Sequence, residues 1–276
     1  MSESGKSLTV IAPPSRWGVL NFRELVGYRD LFLFLVWRDI KVLYAQTIMG
    51  FAWAIINPLV QIAVFSIIFG KVAKLDTGGI PYVLFSTAAI IPWTYISESM
   101  SASSQSLVAG QNMLGKVYFP RIIFPITPIL AKLVDFSISL IILVGVMFYY
   151  EVELTSNILY LPIFFIMMIL IPAGVGMGLS AMAIRFRDVK FAMPFAIRML
   201  IYSAPVLYSA GAMDEQYRFW YSLNPLVAVI EGFRACLLGT PFEWQYIYPG
   251  MISAVVIFIL GALYFKKMEK IFVDVI

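Results

Sequence analysis

Met49-Gly-Phe-Ala-Trp53-Ala-Ile-Ile-Asn57-Pro58-Leu-Val-Gln61-Ile-Ala-Val-Phe65-Ser-Ile-Ile-Phe69-Gly70 decides the fold class, because this stretch contains no Asp, Glu, Lys or Arg. A helix needs roughly 20 predominantly apolar residues to cross the hydrocarbon core of a bilayer, and the stretch is that long. Runs of the same kind recur at about 80–108, 122–150, 158–184, 192–212 and 246–265. The pattern predicts an all-α polytopic membrane protein with six transmembrane helices.

The basic residues orient it. Six Lys and Arg precede the first run, and Lys116 and Arg121 follow the second. Arg185, Arg187, Lys190 and Arg198 follow the fourth; Lys266, Lys267 and Lys270 follow the sixth. Together these are fifteen of the 20 Lys and Arg residues. Only Lys71, Lys74, Arg218 and Arg234 lie in the other gaps, and Lys132 lies inside the third run. The positive-inside bias then predicts cytoplasmic termini and outer loops at 71–79, 151–157 and 213–245.

Composition agrees. Hydrophobic residues make up 61% of the chain and charged residues 13%, with mean hydropathy +0.87. Soluble domains sit near 45–50% and 25%, so lipid must cover much of this surface. The net charge of +4 and pI ≈ 9.0 read as topology determinants and headgroup contacts rather than a nucleic-acid footprint. The single cysteine, Cys236, allows neither an intramolecular disulfide nor a multi-cysteine metal site. The absence of histidine removes the commonest general base and neutral metal ligand. No metal site is expected.

Residues 1–21 read as a cytoplasmic tail. Over 22–46, Leu25, Tyr28, Phe32, Leu35, Val36 and Leu43 recur near helical spacing among Arg23, Arg29, Arg38, Asp39 and Lys41. That predicts an amphipathic helix in the membrane interface, ahead of a transmembrane domain over 47–270. In the second span Glu98, Ser101 and Gln105 share one helical face. A charge at the bilayer centre costs at least about 2.5–3.5 kcal/mol on insertion scales. The face is therefore either the wall of a wet path or a small-residue packing surface. Lys132 and Asp135, at i and i+3, read as an ion pair. Gly174 and Gly178 form a G-x-x-x-G, which predicts close helix packing. The apolar stretch Pro225–Leu238 is too short to span and reads as a re-entrant or interfacial element, with Glu231 and Arg234 placed to pair.

Gly110-Gln-Asn-Met-Leu-Gly115-Lys116-Val117 nearly matches a phosphate-binding loop. Val117 stands where Ser or Thr would hold Mg²⁺, and no strand precedes the glycine, so the match is read as coincidence. No nucleophile elbow or zinc-protease motif occurs either.

Four blocks carry a family likeness. They are Arg38-Asp39-Ile-Lys41-Val-Leu-Tyr44 with Gly50, Trp53 and Asn57-Pro58; Lys116-Val-Tyr118-Phe119-Pro120-Arg121 with Pro125; Phe186-Arg187-Asp188; and Asn224-Pro225 with Ile230-Glu231-Gly232-Phe233-Arg234 and Leu238-Gly239. In order and spacing the chain resembles, over about 22–270, the type-2 permeases of ATP-binding-cassette exporters, closest to the polysaccharide and polyol-phosphate branch. The resemblance implies a homodimer working with two separate nucleotide-binding subunits. ATP and Mg²⁺ would be bound there, so no cofactor belongs to this chain. It also implies a lipid-linked glycan substrate such as O-antigen, capsule or teichoic acid.

On that footing Arg23, Arg38, Lys41 and Arg121 are candidate contacts for the substrate diphosphate, with anchoring to anionic lipid as the plainer role. Glu98, Ser101, Gln105, Trp93, Tyr95, Phe65 and Phe69 are candidates for the translocation path, since sugar rings offer C–H faces to aromatics. An interfacial aromatic belt is the alternative for those rings. Asn224, Pro225, Glu231 and Arg234 are candidates for an outer gate. Lys116, Arg187, Asp188 and Lys190 are candidates for docking the ATPase. A drug or small-lipid exporter is the alternative function. A secondary transporter would show internal repeats and midplane ion ligands, and a membrane transferase an acidic metal cluster; none is visible.

Overall fold

Each apolar run is mainly helical, and the described residues contain no strand. The computed structural model describes residues 26–45, 50, 52–114, 116 and 119–270. The predicted tail, Arg23 and the start of the predicted interfacial helix lie outside these residues.

Helix α1 is Arg29–Tyr44. Helix α2, Ala52–Phe65, continues as a wider turn over Ser66–Val72. Helix α3, Tyr82–Ala109, is followed by the short turn α4, Gln111–Leu114. The third run is broken at Lys132 into α5, Ile123–Ala131, and α6, Leu133–Tyr149. Helices α7, Leu161–Arg185, and α8, Arg187–Met199, abut at Phe186. Then come α9, Arg218–Ser222, and α10, Pro225–Leu238, before α11, Trp244–Glu269.

Four of these elements are long and apolar enough to cross a membrane: Ala52–Val72, Ile123–Tyr149, Ser156–Arg185 and Trp244–Glu269. Helix α3 is long enough, at about 42 Å for its length, but it is too polar to meet the same criterion. It compensates by sitting in the middle. Residues Leu84–Trp93 are all buried, so α3 meets protein on every side. Several of its hydroxyls bond back to the helix: Thr87 Oγ1 donates to the Val83 carbonyl at 2.6 Å, Ser104 to Ser101 at 2.8 Å and Ser106 to Ser103 at 2.7 Å. Ser103 donates instead to the Pro125 carbonyl at 2.7 Å, tying α3 to α5.

Lipid tails are as apolar as the side chains, so close packing replaces the hydrophobic effect between helices. A Cβ on Gly174 would meet the Phe258 backbone of α11 at 2.5 Å, and one on Gly261 would strike the Gly174 carbonyl. A Cβ on Gly176 would strike Ser103 of α3. Alternate glycines of α7 thus face two different neighbours. The close packing expected at Gly174 is present, whereas Gly178 is looser. The large side chains point outward instead: Ile141, Val144 and Phe148 on α6, and Ile252, Val256, Ile259, Leu260 and Leu263 on α11, are exposed.

The fifth run departs from the sequence reading. Instead of one helix over 192–212, α8 ends at Met199, a single tight turn follows over Leu200–Tyr202, and residues 203–209 form turns. Two causes act. Pro205 has no N–H to continue a helix and disfavours helical geometry at Ala204. Arg234 then takes the freed carbonyls of Val206 and Tyr208 at 3.0 and 3.2 Å.

Helix α10 is buried along nearly its whole length. Asn224 caps it by accepting from the Leu226 N–H, Pro225 fills its first turn, and Gly239 ends it with φ +70°. A Cβ at Gly239 would strike Thr155. Asn157 Nδ2 donates to the Ala235 and Thr240 carbonyls at 3.2 and 3.1 Å, so the last turn is bonded as well.

Candidate functional site

A polar cleft of about 360 Å³ opens between α2, α3 and α8. Helix α2 supplies Gln61; α3 supplies Trp93, Thr94, Ser97, Glu98 and Ser101; the α8 region supplies Pro194, Ile197, Arg198 and Ile201. Thr94 Oγ1 donates to Gln61 Oε1 at 3.4 Å across the α2–α3 contact.

Behind this wall the charges form one connected set. Lys132, in the break between α5 and α6, donates to Glu98 Oε2 at 2.7 Å and to Asp135 Oδ2 at 2.9 Å. The other oxygen of Asp135 accepts from the Tyr44 hydroxyl, at the end of α1. Burial, and then the Asp135 carboxylate beside it, raise the Tyr44 phenol above its ordinary range, so it stays a donor. Exposure falls along the set: the Glu98 side chain is 43% exposed, Asp135 24% and Lys132 16%. The pair expected at Lys132 and Asp135 is thus the inner part of a three-helix network whose outer end is Glu98.

Of the path candidates, Trp93, Glu98 and Ser101 line the cleft. Tyr95 points the other way: it is buried, donates to the Ile129 carbonyl at 3.0 Å and packs edge-on to Phe136. Gln105 bonds back to its own helix through the Ser101 carbonyl. Phe65 and Phe69 pack edge-on to each other at 5.8 Å, partly buried against the main core. The sequence reading missed Gln61 and Arg198 as cleft residues. Each is a polar interruption of an apolar run, and that was the available signal.

The diphosphate candidates have protein partners. Arg38 pairs with Asp39 at 2.7 Å, Lys41 lies 4.8 Å over the Trp37 ring, and Arg121 donates to the Glu269 carbonyl at the end of α11. Arg23 lies outside the described residues. The gate candidates converge on one structure. Arg234 is 1% exposed, pairs with Glu231 at 3.0 Å and sits 3.6 Å over the Phe85 ring. Glu231 also accepts from the Ala210 N–H at 2.9 Å, and Asn224 donates to the Ser203 carbonyl at 2.9 Å. Together with Pro225 they hold residues 203–210 against α10. Among the docking candidates Lys116, Asp188 and Lys190 are exposed, and Arg187 opens α8. Gly110 of the phosphate-loop look-alike follows a helix, α3, rather than a strand.

A bundle of apolar helices with a charged, hydroxyl-rich cleft between them is the architecture expected of a membrane permease. The chain belongs to the ABC-2 type transporter family, whose sequence pattern matches residues 30–238. It is similar to the O-antigen export system permease protein RfbA of Klebsiella pneumoniae, 25% identical over 93% of this chain and 99% of the relative. A protein of the same name from Myxococcus xanthus is 26% identical over 77% of this chain and 82% of its own length. The polysialic acid transport protein KpsM of Escherichia coli is 24% identical over 84% of this chain and 91% of that protein.

Proposed function

We propose that this chain is the permease subunit of an exporter that moves a lipid-linked polysaccharide across the bacterial inner membrane. It crosses six times with both termini cytoplasmic, and α10 is a re-entrant element on the outer side. It works as a homodimer with two ATPase subunits, which bind ATP and Mg²⁺. Three relatives' names support the class of cargo: O-antigen in two organisms and polysialic acid in a third. The asymmetry of Lys and Arg supports the orientation.

The cleft is the observation that carries the reading. A half-exposed Glu98 and an exposed Arg198 cannot face hydrocarbon. Only 11% of the most apolar part of Ala52–Val72 is buried within the chain, so α2 leaves the cleft side uncovered. A second copy set against α2 and α8 encloses the two clefts as one wet passage. Hydroxyls and amides on its wall bind a polymer weakly enough for every repeat to leave. Arg38, Lys41 and Arg121 hold the carrier diphosphate at the inner leaflet, and Lys116, Arg187, Asp188 and Lys190 meet the ATPase.

Deleting the gene tests this. Completed polymer accumulates inside the cell on its lipid carrier while synthesis continues. Wild-type surface polysaccharide in the deletion strain, together with new sensitivity to small hydrophobic drugs, overturns it in favour of a small-molecule exporter.

A further inference from the structure

We infer that Glu98 is the cleft group that reads saccharide hydroxyls, and that Lys132 and Asp135 are positioning residues for it; this rests on the polysaccharide reading above. Charge counting separates Glu98 from a structural ion pair. Asp135 alone neutralises Lys132, so the set carries one surplus negative charge, and that charge is on the most exposed member. Lys132 occupies Glu98 Oε2, while the second carboxylate oxygen has no partner among the described residues. An ionised carboxylate has about four lone-pair sites and donates nothing, so the open oxygen accepts only from hydroxyl or N–H donors.

The surroundings match that demand. Thr94, Ser97 and Ser101 lie on the same wall, and Gln61 faces them. Such a wall offers acceptors and reorientable hydroxyls to a chain with a donor on most carbons. Lipid tails have nothing to donate. Lys132 fixes the carboxylate from behind, and Asp135 fixes Lys132, so the acceptor is held in place before the chain arrives.

The test uses the full permease–ATPase complex in lipid nanodiscs. ATP hydrolysis is followed as a neutral hexose oligosaccharide is titrated, and again with the same chain fully O-methylated, which cannot donate. Wild-type complex half-saturates at about tenfold lower concentration with the hydroxylated chain, the worth of one hydrogen bond to a charged group. Glu98→Ala loses most of that preference. Lys132→Met loses it too, Lys132→Arg restores it, and the maximal rate changes less than the half-saturating concentration. A wild-type preference retained in Glu98→Ala overturns the inference. If that variant does not assemble, Glu98→Gln keeps an oxygen for Lys132, and an unchanged half-saturation there overturns it equally. Wild type that responds to no saccharide overturns the polysaccharide reading itself, and this inference with it.

Discussion

Glu231–Arg234 and Glu98–Lys132 are both carboxylate–cation pairs on apolar helices, and they differ in closure. Arg234 and Glu231 are 2% and 13% exposed in their side chains, and backbone carbonyls or N–H groups take up the rest of their bonding capacity. Glu98 is 43% exposed and keeps an oxygen open to the cleft. A closed pair holds chain segments together, whereas an open one leaves chemistry to offer. The first therefore governs whether α10 and residues 203–210 fold together; on the function proposed above, the second governs what passes through.

The largest effect expected from this contrast is at Arg234. Arg234→Met leaves Glu231 buried without its cation and frees the Val206 and Tyr208 carbonyls. Removing one partner of a buried pair costs about 3–5 kcal/mol. The variant should fail to accumulate in the membrane, and Arg234→Lys should recover it only in part, because an ammonium cannot reproduce the planar fork. Normal accumulation of Arg234→Met, measured by immunoblot of membrane fractions, would place the pair with Glu98 rather than against it.

Thiol labelling compares the two regions directly. Cys236 is fully buried in α10, and burial pushes its thiol up to about 12. Against an ordinary thiol at 9.0, that leaves about a thousandfold less thiolate at neutral pH. Ser101→Cys, on the cleft wall, should react with a small water-soluble maleimide while Cys236 stays unmodified in the same molecule. Mass spectrometry of the labelled peptides reads both. Equal labelling at the two positions would erase the distinction between sealed and open.

Much of this contrast was legible in the sequence, for physical reasons that stop at a definite point. The i, i+3 pairs at Lys132–Asp135 and Glu231–Arg234 follow from helix geometry alone, and both are present. Helical facing correctly put Glu98 beside Ser101, yet the same rule drew in Gln105, which the packing turns back onto its own helix. Tyr95 was chosen for its ring and is a core residue, because aromatic identity does not say which side of a helix is wet. The fifth run looked like one continuous helix because 192–212 is apolar apart from Arg198 and a few hydroxyls. The turn at Pro205 is held by Arg234, which lies outside that run, so no local pattern could reveal it. The same limit hid the Lys132–Glu98 contact, whose partners are 34 residues apart.

Lys132→Met should have an intermediate effect, larger on function than on folding. It leaves two carboxylates near each other without their cation, but both are partly exposed and can be hydrated. The protein should reach the membrane at near wild-type level and lose about 1–2 kcal/mol of stability in detergent unfolding, below the cost at Arg234. Export, read as surface polysaccharide, should fall severalfold. Loss of the protein from the membrane, as at Arg234, would mean that the set is closed architecture too.

The smallest effect belongs to Tyr44→Phe, and it asks how far the open set reaches. The Tyr44 hydroxyl links α1 to the charged residues through Asp135. Removing it deletes one hydrogen bond to a carboxylate that keeps its Lys132 partner. About 1 kcal/mol or less of stability should be lost, with membrane level unchanged. Helix α1 also packs Leu35 into the inner core, so its position does not depend on Tyr44 alone. Any loss of export larger than twofold therefore cannot come from displacement of α1 and has to come from the link itself. The informative measurement is surface polysaccharide per ATP hydrolysed in Tyr44→Phe beside Lys132→Met. A ratio lowered in both extends the set from the cleft to α1. A ratio lowered in Lys132→Met and untouched in Tyr44→Phe confines its action to the three helix segments that hold Glu98, Lys132 and Asp135.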